Sequence, residues 1–129
     1  MNDSLPQVTD AELAVLEFLW RAELATKREI SAALYPPGND SSVATVQKLL
    51  QRLEAKGYVT RDRSGIAHVF TPTLPKNDFV SRQLEMTARK LSSGSLAPLV
   101  MHLVEGNRLT KQERLKLRSL LDADLGTSS

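Results

Sequence analysis

The sequence predicts a mainly α-helical protein in which three helices and a β-hairpin come first and a purely helical segment follows. Two observations predict the helices: threonine-x-x-glutamate patterns mark helix starts, and apolar residues recur at helical spacing through most of the chain. A third observation predicts the hairpin: after Gly57 the helical spacing of apolar residues gives way to the alternating pattern typical of β-strands. With 129 residues and 41% hydrophobic, the chain favours one compact domain, or one small domain with an appended interaction segment.

The first two helices are predicted to begin at capping boxes. Thr9 and Glu12, like Thr26 and Glu29, have the spacing at which the threonine oxygen accepts from the third helical amide and the glutamate reaches back to the cap amide. The second helix is predicted to stop at residues 36–38, where two prolines and a glycine interrupt the helical pattern.

The third helix and the hairpin complete the first domain. Ser41 or Ser42 is the predicted cap of a helix that ends at Gly57, a residue type suited to the left-handed conformation after a helix. Two short strands, 58–63 and 67–71, are predicted around a Ser-Gly turn. Three helices followed by a hairpin is the order of a winged helix-turn-helix, so we assign residues 1–75 to that domain, with helix three reading DNA and the hairpin as the wing.

The distribution of charge supports a DNA-binding role better than its total does. The net charge is only +2, but residues 1–40 hold seven acidic and three basic residues, whereas residues 41–75 hold five basic and two acidic ones. A basic patch therefore falls on the third helix and the wing, and the acidic first third is expected to face away from DNA.

The candidate DNA-binding residues are those on the third helix that its core face does not need, together with the polar residues of the wing. In this motif, side chains near the helix N-terminus meet base edges and later cations reach phosphates. Gln47 is the candidate for a bidentate contact to adenine. The predicted set is Ser41, Ser42, Ala44, Thr45, Gln47, Lys48, Gln51, Arg52, Arg61, Arg63 and His68.

Residues 76–125 are predicted to form three short amphipathic helices, the first capped by Asn77 or Asp78 and the last begun by a capping box at Thr110, followed by a disordered tail over residues 126–129. Helices of this size cannot bury their apolar faces alone, so we expect a two-fold dimer built from this segment. Packing of the segment back onto the first domain is the alternative. The predicted dimer residues are Val80, Leu84, Leu91, Leu96, Leu99, Val100, Leu103, Leu117, Leu120 and Leu121.

Several classes of protein are disfavoured. The chain has no cysteine, which removes disulfides, thiolate metal sites and cysteine nucleophiles. Neither His68 nor His102 has a second ligand at metal-binding spacing, and no glycine-rich phosphate loop or serine elbow is present. We therefore predict a protein that is not an enzyme and needs no cofactor. Without an apolar run of ~18 residues or an export signal, it is predicted to be cytoplasmic.

The residues resemble the penicillinase-repressor family of transcriptional regulators, which includes BlaI, MecI and CopY. The resemblance covers nearly the whole chain, and the order and spacing of its pieces are more specific than any one piece. These pieces are Leu13 to Trp20 after Thr9-Asp-Ala-Glu, Thr45-Val46-x-x-Leu49-Leu50-x-Arg52-Leu53-x-x-Lys56-Gly57, Phe70-x-Pro72, Gly94-Ser-Leu-Ala97, Leu103-Val-Glu105 and Leu109-Thr110-x-x-Glu113.

The resemblance implies a homodimeric repressor that binds a dyad-symmetric operator and controls β-lactam-resistance or related stress genes. It also implies release through a membrane sensor peptidase pathway, with His102-Leu103 at the position of the family's cleavage site. The family's wing carries an arginine where this chain has Ile66, and helix three departs from the family at Ala44 and Gln47, so the operator is expected to differ. The cysteine-based copper switch of some relatives is excluded.

Two other functions compete with a repressor. A winged-helix module that holds an acidic protein would use the same helix and hairpin, but would show no operator specificity. An intracellular regulator that senses a ligand would need a pocket, and the sequence does not reveal one.

Overall fold

The computed structural model describes residues 7–127 and confirms a mainly helical chain with one antiparallel hairpin. The chain divides into two compact units, one ending at Gln83 and the other beginning at Leu84. Within the described residues the elements are α1 (Asp10–Ala22), α2 (Lys27–Leu34), α3 (Asp40–Ala55), β1 (Val59–Asp62), β2 (Val69–Pro72), α4 (Lys76–Leu91), α5 (Ala97–Glu105) and α6 (Lys111–Thr127).

Both predicted capping boxes at the start of the chain are confirmed. At α1, the Glu12 amide donates to the Thr9 hydroxyl at 3.2 Å, and the Thr9 amide donates to the Glu12 carboxylate at 2.9 Å. Thr26 and Glu29 form the same pair of bonds at α2. Each box satisfies two amides that a helix start leaves without partners, so the first residues of α1 and α2 are fixed by local sequence.

The residue that caps α3, at the end of the turn after α2, differs from the prediction. Asn39 is the cap of α3, and its side chain accepts from the Ser42 amide at 2.9 Å. The predicted caps, Ser41 and Ser42, are instead the second and third residues of the helix. Asparagine is as good a cap as serine, and it comes first along the chain. Gly38 supplies the positive φ, 75°, that brings the chain into this position.

The core of the first unit lies between α1, α2, α3 and the hairpin. β1 and β2 pair with Arg61 opposite Phe70, and Phe70 also exchanges two backbone hydrogen bonds with Ala25, at 2.8 and 3.1 Å. The segment after α1 thus attaches the hairpin to the helical layer. The most deeply buried apolar side chains are Val15, Leu16, Leu19, Ile30, Val46, Leu50 and Leu53.

The first unit continues beyond residue 75, where the sequence analysis placed the domain boundary. The Trp20 indole donates to the Leu74 carbonyl at 2.9 Å. The Phe79 ring, on the first turn of α4, lies 5.2 Å from the ring centre of Trp20 and 5.3 Å from that of Tyr58. α4 begins at Lys76, ahead of the Asn77 or Asp78 cap that the sequence suggested. The beginning of α4 is therefore part of the first unit's core.

The second unit is helical, and most of its large apolar side chains are exposed. Thr110 and Glu113 form the third predicted capping box, at the start of α6. α6 continues past Gly126 to Thr127, so the first two residues of the tail predicted over 126–129 are helical, and residues 128–129 lie outside those described. No helix in residues 7–127 has both the length and the apolar character needed to cross a membrane.

Candidate nucleic-acid interface

The solvent face of α3 carries the predicted row of small, amide and basic side chains. Val43, Val46, Leu49, Leu50 and Leu53 are buried, and at 100° per residue Ala44, Lys48 and Gln51 fall opposite them. Seven of the predicted residues are exposed on this helix: Ser41, Ala44, Thr45, Gln47, Lys48, Gln51 and Arg52.

The first turn of α3 is partly occupied by its own hydrogen bonds. The Thr45 hydroxyl donates to the Ser41 carbonyl at 3.2 Å, which uses its one donor and leaves its methyl group and oxygen lone pairs for a partner. Ser41 is exposed, while Ser42 is half-buried at the cap. Thr45 is thus suited to an apolar contact such as a thymine methyl group.

Arg61 is held within the protein, whereas the sequence analysis placed it at the DNA surface. Its guanidinium lies 2.8 Å from the Glu54 carboxylate and 5.0 Å from the centre of the Phe70 ring, and its side chain is only 17% exposed. Glu54 is on α3 and Arg61 on β1, so this arginine ties the wing to α3. Sequence spacing cannot reveal a pairing between different elements.

Arg63 and His68 lie in the six-residue loop of the wing, and both are exposed. The loop begins with a turn in which the Ser64 amide donates to the Asp62 carboxylate at 2.9 Å. This hydrogen bond lowers the pKa of Asp62 below its usual range, since it favours the ionised form. Ile66, within this loop, is fully exposed.

A concavity of about 430 Å³ lies between the start of α2, α3 and the wing. Lys27 and Arg28 line it, although the sequence analysis had placed their whole acidic segment away from DNA. The signal that could have found them is the Thr26 capping box, which puts both cations in the first turn of the helix before α3. Its lining residues are Thr26, Lys27, Arg28, Gln47, Arg61, Ile66, Ala67, His68 and Phe70.

A buried ion pair fixes the other end of α3. The Lys56 ammonium lies 2.6 Å from the Glu12 carboxylate and also donates to the Gln7 carbonyl at 2.8 Å. Burial by itself raises the pKa of Glu12, but the hydrogen bonds from Lys56 and from the Thr9 amide outweigh it and leave the pKa below its usual range. The C-terminal end of α3 is thereby attached to the start of α1.

The second unit and α4 carry the residues predicted for the dimer interface. Leu99 and Leu117 are half-buried, while the other eight are exposed, including Val80 in the first unit. His102 and Leu103 are both exposed on α5. Within residues 7–127, no cluster of histidine, aspartate and glutamate side chains could hold a metal ion.

Known proteins resemble the chain along nearly its whole length. The penicillinase repressor family matches residues 8–123. The penicillinase repressor of Bacillus licheniformis is 26% identical over 92% of this chain and 91% of that protein. The transcriptional regulator BlaI of Mycobacterium tuberculosis is 31% identical over 95% of this chain and 88% of that protein. The solution structure of the DNA-binding domain of the repressor BlaI is 29% identical, with a TM-score of 0.49, over 60% of this chain and 93% of that chain. The resemblance found in the sequence is thus confirmed, and the chain belongs to the penicillinase repressor family.

Proposed function

We propose that this chain is a homodimeric transcriptional repressor that binds a dyad-symmetric operator in double-stranded DNA through α3 and the wing. The observation that carries the proposal is the exposed face of α3. Lys48 and Arg52 lie on it, and neither forms a salt bridge within residues 7–127. Unpaired cations on a helix of this motif are suited to phosphates, which supply most of the affinity for DNA.

The roles of the interface residues follow from their position and exposure. Thr45 and Gln51 are assigned to base edges, and Lys48 and Arg52 to phosphates. The exposed polar residues of the wing loop, Arg63 and His68, are assigned to the neighbouring backbone or minor groove. Arg61 is assigned to positioning the wing instead of touching DNA, because Glu54 and Phe70 already hold it.

Dimerisation is assigned to the exposed apolar side chains of the second unit. Large apolar surfaces on separate helices need a covering partner, and a second copy supplies a self-complementary one. A two-fold dimer carries two copies of α3 and so matches an operator with two half-sites.

Control of the repressor is assigned to proteolysis. By analogy with the family, the regulated genes belong to β-lactam resistance or a related stress response, and a membrane sensor peptidase pathway relieves repression by cleavage at His102-Leu103. The exposure of both residues supports access to this bond.

The experiment that tests DNA binding is fluorescence anisotropy with a duplex from the chain's own promoter, over a range of salt concentrations. We expect the logarithm of affinity to fall steeply with the logarithm of salt, and Arg52→Ala to reduce the slope by about 0.9 for each subunit that loses a phosphate contact. Arg21→Ala, an exposed arginine of α1, is the control and should leave the slope unchanged. A slope near zero for the unaltered protein would refute the proposal.

A further inference from the structure

We infer that Lys27, on α2, determines base specificity by orienting Gln47 so that this side chain reads guanine. The inference rests on the proposed function, because it concerns how the same interface selects its operator. It replaces the contact to adenine that the sequence suggested for Gln47.

The orientation of the Gln47 amide follows from its contact with Lys27. The Lys27 ammonium donates to Gln47 Oε1 at 2.8 Å. A lysine has three donors and no acceptor, so only the carbonyl oxygen of the amide can face it. The amide nitrogen, Nε2, therefore points away from Lys27 with both of its hydrogens, and Gln47 offers donors to a partner.

The surroundings of Gln47 also favour an acceptor as its partner. Lys27, Arg28 and Arg61 line the same concavity, and each of these side chains can only donate hydrogen bonds. The Thr26 hydroxyl already accepts from the Glu29 amide at 3.2 Å. A base edge that places a hydrogen-bond donor here would face a group of cations.

The bases differ in what they offer to such a site. In the major groove, guanine presents two acceptors, N7 and O6, whereas adenine presents one acceptor and the N6 donor. A glutamine reads adenine by accepting from N6 through its carbonyl oxygen, but Lys27 already uses one lone pair of that oxygen and places an ammonium beside it. Guanine thus fits the observed orientation, whereas the N6 donor of adenine would have to share the oxygen with Lys27.

The test is selection of bound duplexes from randomised DNA by three full-length proteins: the unaltered chain, Lys27→Met and Gln47→Ala. The base pair that Gln47 reads is the position at which Gln47→Ala loses the base preference shown by the unaltered protein. At that position the unaltered protein should prefer guanine over adenine by at least about fivefold, the discrimination expected from one hydrogen bond. Lys27→Met frees the carbonyl oxygen and should shift the preference toward adenine.

Arg28→Met is the matched control, since it removes a neighbouring cation of α2 without touching Gln47. It should weaken binding to all sequences alike and leave base preference unchanged. The inference would be overturned if the unaltered protein preferred adenine, or if no position lost its base preference in Gln47→Ala. It would also be overturned if Lys27→Met kept the base preference of the unaltered protein. Failure of all four proteins to enrich any sequence would instead refute the proposed function.

Discussion

Glu12 is a residue whose charge is buried, and its environment explains how the first unit tolerates it. The side chain is 1% exposed, yet one of its oxygens is bonded to Lys56 and to the Thr9 amide. A buried charge costs free energy unless it is paired and hydrogen-bonded. Because protonation of Glu12 removes its charge, the contribution of this pair to stability depends on pH.

We predict that Glu12→Gln lowers the free energy of unfolding near neutral pH by about 1–3 kcal/mol, the range for hydrogen bonds to charged groups. The pKa of Glu12 is lowered in the folded protein, so its ionised form stabilises the fold above about pH 4.3 and that stabilisation is lost as pH falls further. Urea unfolding of both proteins between pH 7 and pH 3 should show a difference that shrinks in acid.

Glu17→Gln provides the control for this measurement. Glu17 pairs with Lys76 at 3.3 Å, and both side chains are more than a third exposed. A surface pair of this kind contributes at most about 1 kcal/mol. A Glu12→Gln difference that stayed constant down to pH 3 would contradict the assignment of the effect to ionisation.

The two wing arginines are predicted to behave differently on substitution. Arg61→Ala removes the contacts with Glu54 and Phe70 and should lower the free energy of unfolding by about 1–2 kcal/mol, together with DNA affinity. Arg63→Ala should reduce DNA affinity and change the free energy of unfolding by less than about 0.5 kcal/mol, because Arg63 is exposed. Thermal unfolding combined with anisotropy separates the two effects, and equal losses of stability would be inconsistent with this distinction.

How far single residues could be predicted depended on whether their role was local. The exposure of Lys48 and Arg52 followed from helical period alone. Arg61 and Lys27 did not, because their partners, Glu54 and Gln47, lie on other elements and only the folded chain brings them together. Cap residues show the same limit, since Asn39 and Ser41 have similar propensities and the choice depended on the path of the turn.

At the scale of elements, the turn between α2 and α3 determines where α3 begins. Gly38 combines a φ of 75° with a close approach to α2, so that an added Cβ would lie 2.9 Å from the Ala32 Cα atom. Gly57 has a similar φ, 85°, but open space around it. The two glycines thus separate the effect of conformation from the effect of contact.

We predict that Gly57→Ala lowers the free energy of unfolding by about 1–2 kcal/mol, the cost of a left-handed conformation. Gly38→Ala should cost an additional ~1–3 kcal/mol, because backbone atoms of α2 must also move. Urea unfolding of both variants measures the difference. Equal losses in the free energy of unfolding would show that α2 moves aside without a cost in stability.

The beginning of α4 was the element least accessible to sequence reasoning. Two prolines precede it, and Asn77 and Asp78 are good caps, so the sequence favoured a later start and a boundary at residue 75. Phe79 packs with Trp20 and Tyr58, residues that are distant along the chain, and this aromatic contact draws the first part of α4 into the first unit. Periodicity within a helix cannot show which neighbour its aromatic residue will meet.

At the scale of the whole molecule, exposed apolar residues are concentrated in the second unit. Leu103 and Leu121 are 43% and 56% exposed there. Family membership and fold order were evident from the sequence, because both depend on local spacing. Contacts between chains decide which surfaces a second copy would cover. Such contacts leave no periodic pattern in the sequence.

We predict that the double variant Leu103→Asp, Leu121→Asp sediments as a monomer and loses at least about tenfold in affinity for a two-half-site operator. Each substitution places a charge on both copies at the interface, and burying these charges costs free energy. A monomer binds one half-site alone, so binding at one half-site no longer raises the affinity at the other. Leu24→Asp, at a 57% exposed leucine of the first unit, is the control and should leave the dimer intact. A dimeric double variant would place the interface elsewhere.

The ion pair between Glu12 and Lys56 also restricts how this sequence can diverge. The two residues lie 44 positions apart, but loss of Lys56 leaves the buried Glu12 carboxylate without its charged partner. Their substitutions are therefore not independent, and a single change is tolerated less well than a joint one. Across related chains, the two positions should covary, with both charges retained or both replaced by apolar residues.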